Sequence, residues 1–511
     1  MSVLTAAFGV AFKLWKVNSM LSAQSLFRPE SIHQQLDQRF YRQVKAAQFP
    51  QHQLRYRNHA AALSVGLDDF DDASWVRHFG HFQPLDGSFP VPLALCYHGH
   101  QFGHYNPDLG DGRGFLFAQM RDQQHRLMDL GTKGSGTTPF SRSADGRLTL
   151  KGAVREILAT EMLTALDVTT SQSFSVIETG EKLERNDEPS PTRSAVLVRL
   201  SHSHIRIGSF QRLAYMDDMD GIEILARHVE RHYFGGAAQT GLVKDNDGLD
   251  ADAPLNELLP ALLGHVAAAI ADTAGRWLAA GFVHGVLNTD NFNITGESFD
   301  YGPWRFLPSF EPGLTAAYFD QTGRYAYGRQ SDAALWAVCR FADCFVKLVP
   351  QKDLEDRLAD FYPLLEARLA KQMQWRLGVV FEEEDPTRDA ALARDIFGAA
   401  KQSQCGFDQM FHDLYGGKAR VDGYDDCWRP VLEVLQAAKP RNQAALDHPH
   451  FQSAKAVSMT IDEVEAIWAP IAASDDWSLL SDKIATIHQM RHAYGSDSAM
   501  PLPSIIGGPK T

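Results

Sequence analysis

Short apolar runs separated by polar turns fill much of the chain's first half, and long helical patterns fill the second half. Four runs of β-branched, aromatic and aliphatic residues between positions 113 and 200 have the length of strands. The predicted strands are residues 114–120, 126–130, 174–177 and 195–200. An amphipathic helix over 149–166 interrupts them, because its apolar residues recur at helical spacing. The polar, proline-bearing stretch 181–192 predicts a hairpin loop.

After a loop over 245–254, rich in Asp, Asn and Gly, the pattern becomes helical. Residues 257–280 predict a long apolar helix, in which Pro260 is tolerable only in the first turn. Further helices are predicted over 332–348, 352–373, 388–401, 428–438 and 461–469, and residues 31–75 predict a helical approach to the fold. The pattern therefore predicts an α+β fold with two lobes, a mixed sheet followed by helices, and a cleft between them.

The composition is that of an ordinary globular protein. The 511 residues can bury a large core, and this length predicts about two to four domains or lobes. The net charge of -14 argues against a general binder of nucleic acid or anionic membranes. A local basic pocket needs only a few arginines and lysines, so the net charge does not exclude one.

Cysteine usage and the N-terminal segment bear on location. The five cysteines include no CxxC pair, and an odd count favours a reducing compartment, the cytoplasm or, in a eukaryote, the mitochondrion. No apolar stretch approaches the length needed to span a bilayer. The first acidic residue is Glu30, so the preceding segment is either an arginine-poor transit-like leader or follows from a mis-called start, with Met20 as the true one. We expect residues 1–30 to lie outside the fold.

Two glycine-rich segments are candidates for phosphate contact. In the first, Gly110 and Gly112 would let the backbone approach a ligand and Arg113 could pair with phosphate oxygens, although an ordinary Asp-Gly turn has the same pattern. In the second, residues 131–139, Lys133 lies among glycines and hydroxyls. Its spacing is not that of a Walker A loop, and a solvated lysine on a surface loop is the alternative.

Glu156 lies on the predicted helix, 23 residues after Lys133. A strand-borne lysine paired with a helix-borne glutamate is the arrangement by which kinases hold a lysine against nucleotide phosphates. A solvated helix face is the alternative. Arg199 and Arg206 are further candidates for phosphate clamps, although each alone is equally typical of a surface ion pair.

The strongest local signal is the segment 284–291, followed by Asp300-Tyr301-Gly302. Asp290, Asn291 and Asp300 supply oxygen ligands for a hard cation such as Mg²⁺ and leave one carboxylate free as a base. The segment resembles a variant of the kinase catalytic loop and its Asp-Phe-Gly metal site. It departs from that loop because Asn291 directly follows Asp290 instead of lying five residues later. A polar turn is the alternative.

Histidines offer a rival site, because neutral imidazoles at close spacing could bind zinc or iron. The candidates are His98, His100, His104, His202 and His204. Neither an HExxH helix nor a matching cysteine set accompanies them. Structural hydrogen bonding around the glycine segment is therefore the favoured interpretation.

Taken together and in this order, the segments GHQFG, LGDGR, KGSGTTPFSR, DGR, REI, HSHIRIGSF, HGVLNTDN and DYGP resemble the selenoprotein O (YdiU) family. The resemblance covers roughly residues 95–330 and fades beyond them. No cysteine follows Cys427, so the C-terminal cysteine or selenocysteine of many relatives, and redox control through it, is not expected here.

The resemblance implies a two-lobed protein-kinase-like fold that binds ATP in the cleft, inverted relative to ordinary kinases, so that the α-phosphate faces the acceptor. The implied activity is transfer of AMP from ATP to Ser, Thr or Tyr hydroxyls of proteins, including the enzyme itself. Asp290 would accept the proton, and Asn291 and Asp300 would hold Mg²⁺ or Mn²⁺. The nucleotide-binding residues implied are Gly110, Gly112, Arg113, Lys133, Asp145, Gly146, Glu156, Arg199, Arg206 and Asp300, with Glu156 pairing with Lys133.

The expected domains are a leader or mis-called start over 1–30, an N-lobe with nucleotide-binding loops over 31–215, a helical C-lobe with catalytic and metal loops over 216–440, and a helical C-terminal extension over 441–511. Two other functions stay open on the residues alone. A nucleotide-binding pseudokinase scaffold would not need the intact acidic residues, and a conventional protein kinase would use the same groups. Neither nucleic acid nor a membrane is an expected partner.

Overall fold

The computed structural model describes residues 27–186, 188–235, 251–424, 426–495 and 501–507. Most of the expected leader and residues 245–250 of the predicted loop lie outside these ranges. The strands, β1 to β16 in chain order, are Arg28–Glu30, Tyr41–Gln43, Gln53–Arg57, Leu93–Leu95, Gly99–Gln101, His104–Asn106, Leu116–Arg121, Leu127–Lys133, Leu148–Thr149, Gln172–Leu183, Thr192–Ser201, Phe282–Val283, Arg305–Phe306, Val379–Val380, Lys439–Pro440 and Ser504–Ile505.

Helices occupy most of the chain after β11. The α-helices, α1 to α15, are His59–Ser64, Asp72–Phe79, Leu150–Ala165, Ile207–Tyr215, Met219–Val229, Leu255–Ala280, Gln330–Ala342, Gln351–Leu358, Phe361–Arg376, Pro386–Ser403, Phe407–Asp413, Arg429–Leu435, Pro449–Gln452, Ile461–Ser474 and Ser478–Ala493. A mixed α+β architecture with a large sheet followed by helices is thus confirmed.

A ten-stranded sheet organises the first half of the chain, and its strand pairs are antiparallel, so the expectation of a mixed sheet was wrong. Its order is β16-β3-β10-β11-β8-β7-β4-β2, with β1 also paired to β7 and β9 to β11. Strands β5 and β6 form a separate hairpin. The four strands predicted from the sequence are present as β7, β8, β10 and β11, and the expected hairpin loop joins β10 to β11.

Both faces of the sheet are buried, as the residues of β11 illustrate. Side chains alternate across a strand, and Ala195 and Leu197 belong to the larger hydrophobic cluster, which includes α3 and α6. Val196, Val198 and Leu200 belong to a second cluster with the aromatic residues of α2. The sheet is therefore a buried layer, which explains why its strands contain near-continuous apolar runs.

Helix α3 lies against the sheet and was predicted almost to the residue. It begins at Leu150, and Thr149 caps it, because the Thr149 hydroxyl accepts the N–H of Gly152 at 3.1 Å. Helix α6 begins at Leu255, two residues earlier than predicted, so Pro260 lies inside the helix and not in its first turn. It ends at Gly281, which adopts the left-handed conformation with φ of +67°.

Several predicted elements were wrong or incomplete. Residues 31–75 contain strands β2 and β3 as well as short helices, because Leu54 and Tyr56 belong to a strand that pairs with β10. The helix predicted over 352–373 is two helices, α8 and α9, and the helix predicted over 332–348 ends at Ala342. No individual helix was predicted at α4, α5, α11, α13 or α15.

The C-terminal residues return to the sheet. Strand β16 pairs with β3 at the sheet's edge, and α15 packs on α3, where His488 Nε2 lies 2.8 Å from Glu161 Oε2. Arg193 on β11 donates to Asp475 at 2.6 Å. Residues 441–511, which were expected to form an extension, therefore add a strand to the sheet and pack against its helix α3 and strand β11.

Helix α6 is long and apolar enough, by length and composition, to cross a membrane, contrary to the expectation from sequence. However, 89% of its most apolar window is buried inside the protein. The helix packs at the centre of the larger hydrophobic cluster, and its hydropathy is that of a core helix.

Candidate nucleotide-binding and catalytic site

Lys133, at the end of β8, pairs with two carboxylates. Its Nζ donates to Glu156 Oε1 from helix α3 and to Asp300 Oδ1 at 2.7 Å. The side chains of Lys133 and Glu156 are 5% and 0% exposed. The strand lysine and helix glutamate predicted as a pair thus form a buried ion pair, and neither the solvated lysine nor the solvated helix face applies.

Asp300 lies where the lysine and two arginines meet. Its Oδ1 is 3.4 Å from Arg199 and its Oδ2 is 3.8 Å from Arg206. Burial disfavours the charged form, but Lys133, Arg199 and Arg206 outweigh it and hold the pKa of Asp300 well below its usual range. Arg113, which is exposed, acts in the same direction. Asp300 is therefore a carboxylate amid cations.

The guanidinium of Arg206 packs against two aromatic rings. Its guanidinium carbon lies 4.5 Å from the ring centre of Tyr97 and 4.8 Å from that of Phe299. The same guanidinium donates to the backbone carbonyl of Asp290 at 2.7 Å and pairs with Asp111 Oδ1 at 3.4 Å. Arg206 thus connects the glycine-rich segment 109–113 with the loop that carries Asp290.

Asp290 is a buried carboxylate with an uncommitted oxygen. The residue is 8% exposed, and Oδ1 has no hydrogen-bond partner among the described residues. Burial raises the pKa of Asp290 to about 6, although Arg206 acts in the opposite direction. A Cβ atom at Gly99, on the β5–β6 hairpin, would lie 2.8 Å from Oδ1, so the hairpin approaches this carboxylate as closely as a glycine allows.

The two glycine segments pack against each other. The backbone at Gly110 approaches the Phe140 ring so closely that no Cβ would fit, and the Ser141 hydroxyl donates to the carbonyl of Gly112. The N–H of Gly134 donates to the carbonyl of Arg113 at 2.7 Å. These contacts bring Gly110, Gly112 and Arg113 beside the end of β8, next to Lys133.

A family model described as "Protein adenylyltransferase SelO" matches residues 25–488. The chain belongs to the SelO family. The "Protein nucleotidyltransferase YdiU" of Synechocystis sp. is 38% identical over 471 residues, covering 88% of this chain and 95% of that protein. The protein of the same name from Synechococcus elongatus is 40% identical over 477 residues, covering 88% and 92%. That from Vibrio vulnificus is 34% identical over 344 residues, covering 67% and 66%.

The match to the SelO family corrects one expectation. The resemblance was expected to fade beyond Gln330, but the family model extends to residue 488, which lies within α15.

Asp145 and Gly146 lie apart from the lysine–carboxylate cluster. Asp145 is half exposed and pairs with Arg185 at 2.8 Å. The carbonyl of Gly146 accepts the N–H of Gly136 at 3.2 Å, which holds this turn against the second glycine segment. The structure thus places these two residues at the rim of the lysine-bearing loop.

The donor set at Asp300 and Asn291 fits a hard cation. The side-chain amide N–H of Asn291 donates to the carbonyl of Val286 at 3.0 Å. Within the described ranges, no hydrogen bond uses the side-chain amide oxygen of Asn291, so this oxygen is available to a cation. No group of three or more His, Cys, Asp or Glu side chains in those ranges could hold a metal. Mg²⁺ typically binds through one or two carboxylates together with substrate phosphates, so an oxygen-only pair suits it.

The histidines do not form a metal centre in the described part of the chain. His98 Nδ1 lies 2.8 Å from the Tyr105 hydroxyl, and His100 Nδ1 lies 2.8 Å from Gln211 Nε2. His202 bonds a backbone carbonyl, His204 lies beside Asp129, and His104 is exposed. Structural hydrogen bonding is therefore the role of the histidines that have partners.

Three residues of the site were not named from the sequence. Asp111 lies inside the segment LGDGR, and its position between two predicted glycines could have indicated it. Tyr97 and Phe299 flank Arg206, but aromatic residues beside motifs carry no specific signal. The approach of the hairpin's Gly99 to Asp290 spans almost two hundred residues and depends on the tertiary fold.

Proposed function

We propose that this protein transfers AMP from ATP to Ser, Thr or Tyr hydroxyls of proteins, including itself. Membership of the SelO family supports nucleotidyl transfer. The observation that carries the proposal for these residues is the convergence of Lys133, Arg206 and Asp300 beside the uncommitted carboxylate of Asp290. Such a site combines charge neutralisation for phosphates with a nearby base.

In the proposed reaction, Asp290 accepts the proton of the acceptor hydroxyl. The hydroxyl oxygen then forms a bond to the α-phosphorus of ATP, and the bond to the bridging oxygen breaks, so that pyrophosphate leaves. Lys133, held by Glu156, and the guanidinium groups of Arg199 and Arg206 neutralise phosphate charge. Burial of Asp290 fits a base, because it keeps the carboxyl pKa near 6 and so raises its proton affinity.

The bound metal would be Mg²⁺ or Mn²⁺, held by Asp300 and Asn291. When bound, it would neutralise phosphate charge and orient the nucleotide. The glycine segments that contain Gly110, Gly112 and Arg113 would contact the nucleotide through backbone and guanidinium groups, and Asp145 and Gly146 would border it.

We further propose that the fold is a two-lobed protein-kinase-like fold with ATP in the cleft, inverted so that its α-phosphate faces the acceptor. The N-lobe would span residues 31–215, the helical C-lobe 216–440 and the C-terminal extension 441–511. The sheet that carries Lys133 and the loops that carry Asp290 and Asp300 would be the two sides of the cleft.

The test is incubation of the purified protein with ATP labelled separately on the α- and the γ-phosphate. We expect α-label on protein, with no covalent γ-label. Transfer of the γ-label alone would make the protein a conventional kinase, and no transfer with retained ATP binding would make it a pseudokinase scaffold. The Asp290→Asn variant serves as the control, because it removes the base with little change in side-chain size.

A further inference from the structure

An exposed aromatic surface lies beside the loop that carries Asp290. Tyr318 is 83% exposed and Phe319 is 48% exposed. Their ring centres are 5.1 Å apart, and Phe319 lies 5.7 Å from Phe102 on the turn of the β5–β6 hairpin. We call these three residues the aromatic rim. Exposed aromatic clusters of this kind are typical of surfaces that bind another protein.

The aromatic rim is fixed to the catalytic loop by hydrogen bonds. The N–H of Phe102 donates to Asn288 Oδ1 at 3.1 Å, and the hydroxyl of Tyr325 donates to the same oxygen at 2.9 Å. The rings of Phe102 and Tyr325 are 4.9 Å apart. Asn288 is two residues before Asp290, so the rim holds a defined position next to the proposed base.

Arginines near the rim carry charge that no carboxylate neutralises within the described ranges. The guanidinium of Arg324 packs 4.7 Å from the ring centre of Trp336, close to the turn of the hairpin. Arg329 donates to backbone carbonyls at 322–323. Neither of these two arginines has a carboxylate within 4.0 Å in the described part of the chain.

Two carboxylates of the same segment accept backbone N–H groups. Asp320 accepts the N–H groups of Arg324 and Tyr325, at 2.9 and 2.8 Å. Glu311, which is exposed, accepts the N–H of Gly313 at 3.3 Å. Neither carboxylate pairs with the guanidinium group of Arg324 or Arg329, so these two groups are complementary in charge to acidic residues of a partner.

We propose that the aromatic rim, together with Arg324 and Arg329, docks an acidic segment of the acceptor protein that carries an apolar side chain close to the hydroxyl residue. The apolar side chain would pack on Tyr318 and Phe319, and the acidic residues would pair with the arginines. This inference rests on the proposed function, because it names the class of acceptor that the same site would modify.

The experiment measures peptide binding and AMP transfer separately. A short fluorescent peptide with one serine, flanked by leucine and aspartates, is titrated with the full chain and followed by fluorescence anisotropy. Two comparison peptides replace leucine by serine or aspartates by lysines. The protein variants are Tyr318→Ala, Phe319→Ala and Arg324→Gln, with Leu479→Ala on α15 as control, since Leu479 is 45% exposed. Thermal melting shows that each variant is folded.

We expect each rim variant, and each comparison peptide, to raise the Kd by about tenfold, which is a typical cost of truncating an interface anchor. The control variant should bind as the wild type does. Equal affinity of the rim variants, equal affinity of the charge-reversed peptide, or no binding to the wild type would overturn the proposal. Sedimentation of the wild type as a dimer that Tyr318→Ala dissociates would also overturn it, in favour of a self-association surface.

Transfer of α-label to the bound peptide distinguishes this inference from the proposed function. If the wild type binds the peptide through the rim but transfers no AMP, the docking surface stands and the proposed function fails. If it labels the peptide and the rim variants label it with unchanged KM, the function stands and the docking surface fails.

Discussion

Removal of either member of the Lys133–Glu156 pair should cost nearly as much activity as removal of both. The two side chains are buried, at 5% and 0% exposure, and the second oxygen of Glu156 has no partner among the described residues. Glu156 therefore acts on the site only through the lysine that it holds. Residues that act as one unit have non-additive effects, so the double variant should add little to either single one.

The magnitude follows from the burial of the pair. Loss of one partner of a buried ion pair typically costs about 3–5 kcal/mol, because the remaining charge is left unpaired. If that cost falls on the transition state, kcat/KM declines by about a hundredfold to a few thousandfold. The unpaired charge applies to Lys133→Ala, which leaves Glu156 buried without its partner. In Glu156→Ala the lysine would still have Asp300, 2.7 Å away in the wild type, so activity would fall because the lysine is misplaced and competes for the Asp300 carboxylate.

The assay is kcat/KM for α-label transfer by the wild type, Lys133→Ala, Glu156→Ala and the double variant. A matched control is the buried pair Arg376–Asp408, which joins helices α9 and α11 at 2.7 Å with exposures of 2% and 6%. Asp408→Ala should lower thermal stability comparably but leave kcat/KM of the folded fraction unchanged. Independent, additive effects of the two site substitutions would refute the reasoning.

Three further outcomes follow from the site. Asp300→Asn should lower kcat by about a thousandfold while the melting temperature stays native; asparagine is chosen because it tolerates the observed φ of +64° better than alanine does. Wild-type turnover in the variant, or by the wild type in excess chelator, would contradict this. Asp290→Asn should lower kcat by about 10²–10⁴-fold while the Kd for ATP, measured calorimetrically, changes little. Gly99→Ala should cost about 1–3 kcal/mol of stability and lower kcat, because the added Cβ displaces Asp290. An unchanged melting temperature and kcat would show that the hairpin can move to make room for the Cβ.

The sequence predicted the elements whose pattern is local. The apolar runs of β7, β8 and β11 and the helical spacing of α3 are properties of consecutive residues, and these elements were found at nearly the expected positions. Strand β10 was found too, but it extends over Gln172–Leu183, well beyond the predicted 174–177. The order of the strands was not predictable, because β16 reaches the sheet's edge from more than four hundred residues away. Residues 31–75 were predicted as helical because strands as short as β2 give little periodic signal.

In the candidate site, too, local motifs were predictable from the sequence and contacts between distant residues were not. Lys133, Glu156 and Asp300 are each ambiguous alone, and the sequence joined them only through the spacing and order of several motifs. The structure brings all three into contact. The aromatic rings around Arg206 and the hairpin's approach to Asp290 depend on residues far apart in the chain. Such contacts follow from the tertiary fold and leave no pattern in a single segment.

The two carboxylates around Lys133 differ in exposure, which suits them to different parts in the proposed nucleotide site. Glu156 is fully buried on a helix, so its ion pair with the lysine cannot exchange for water or phosphate without leaving a buried charge unpaired. Asp300 is 23% exposed and lies on a loop, where a cation can reach its carboxylate. The lysine thus has one permanent and one exchangeable partner. If Asp300 held a metal ion, Glu156 would keep Lys133 in place, and the lysine charge would be available to nucleotide phosphate.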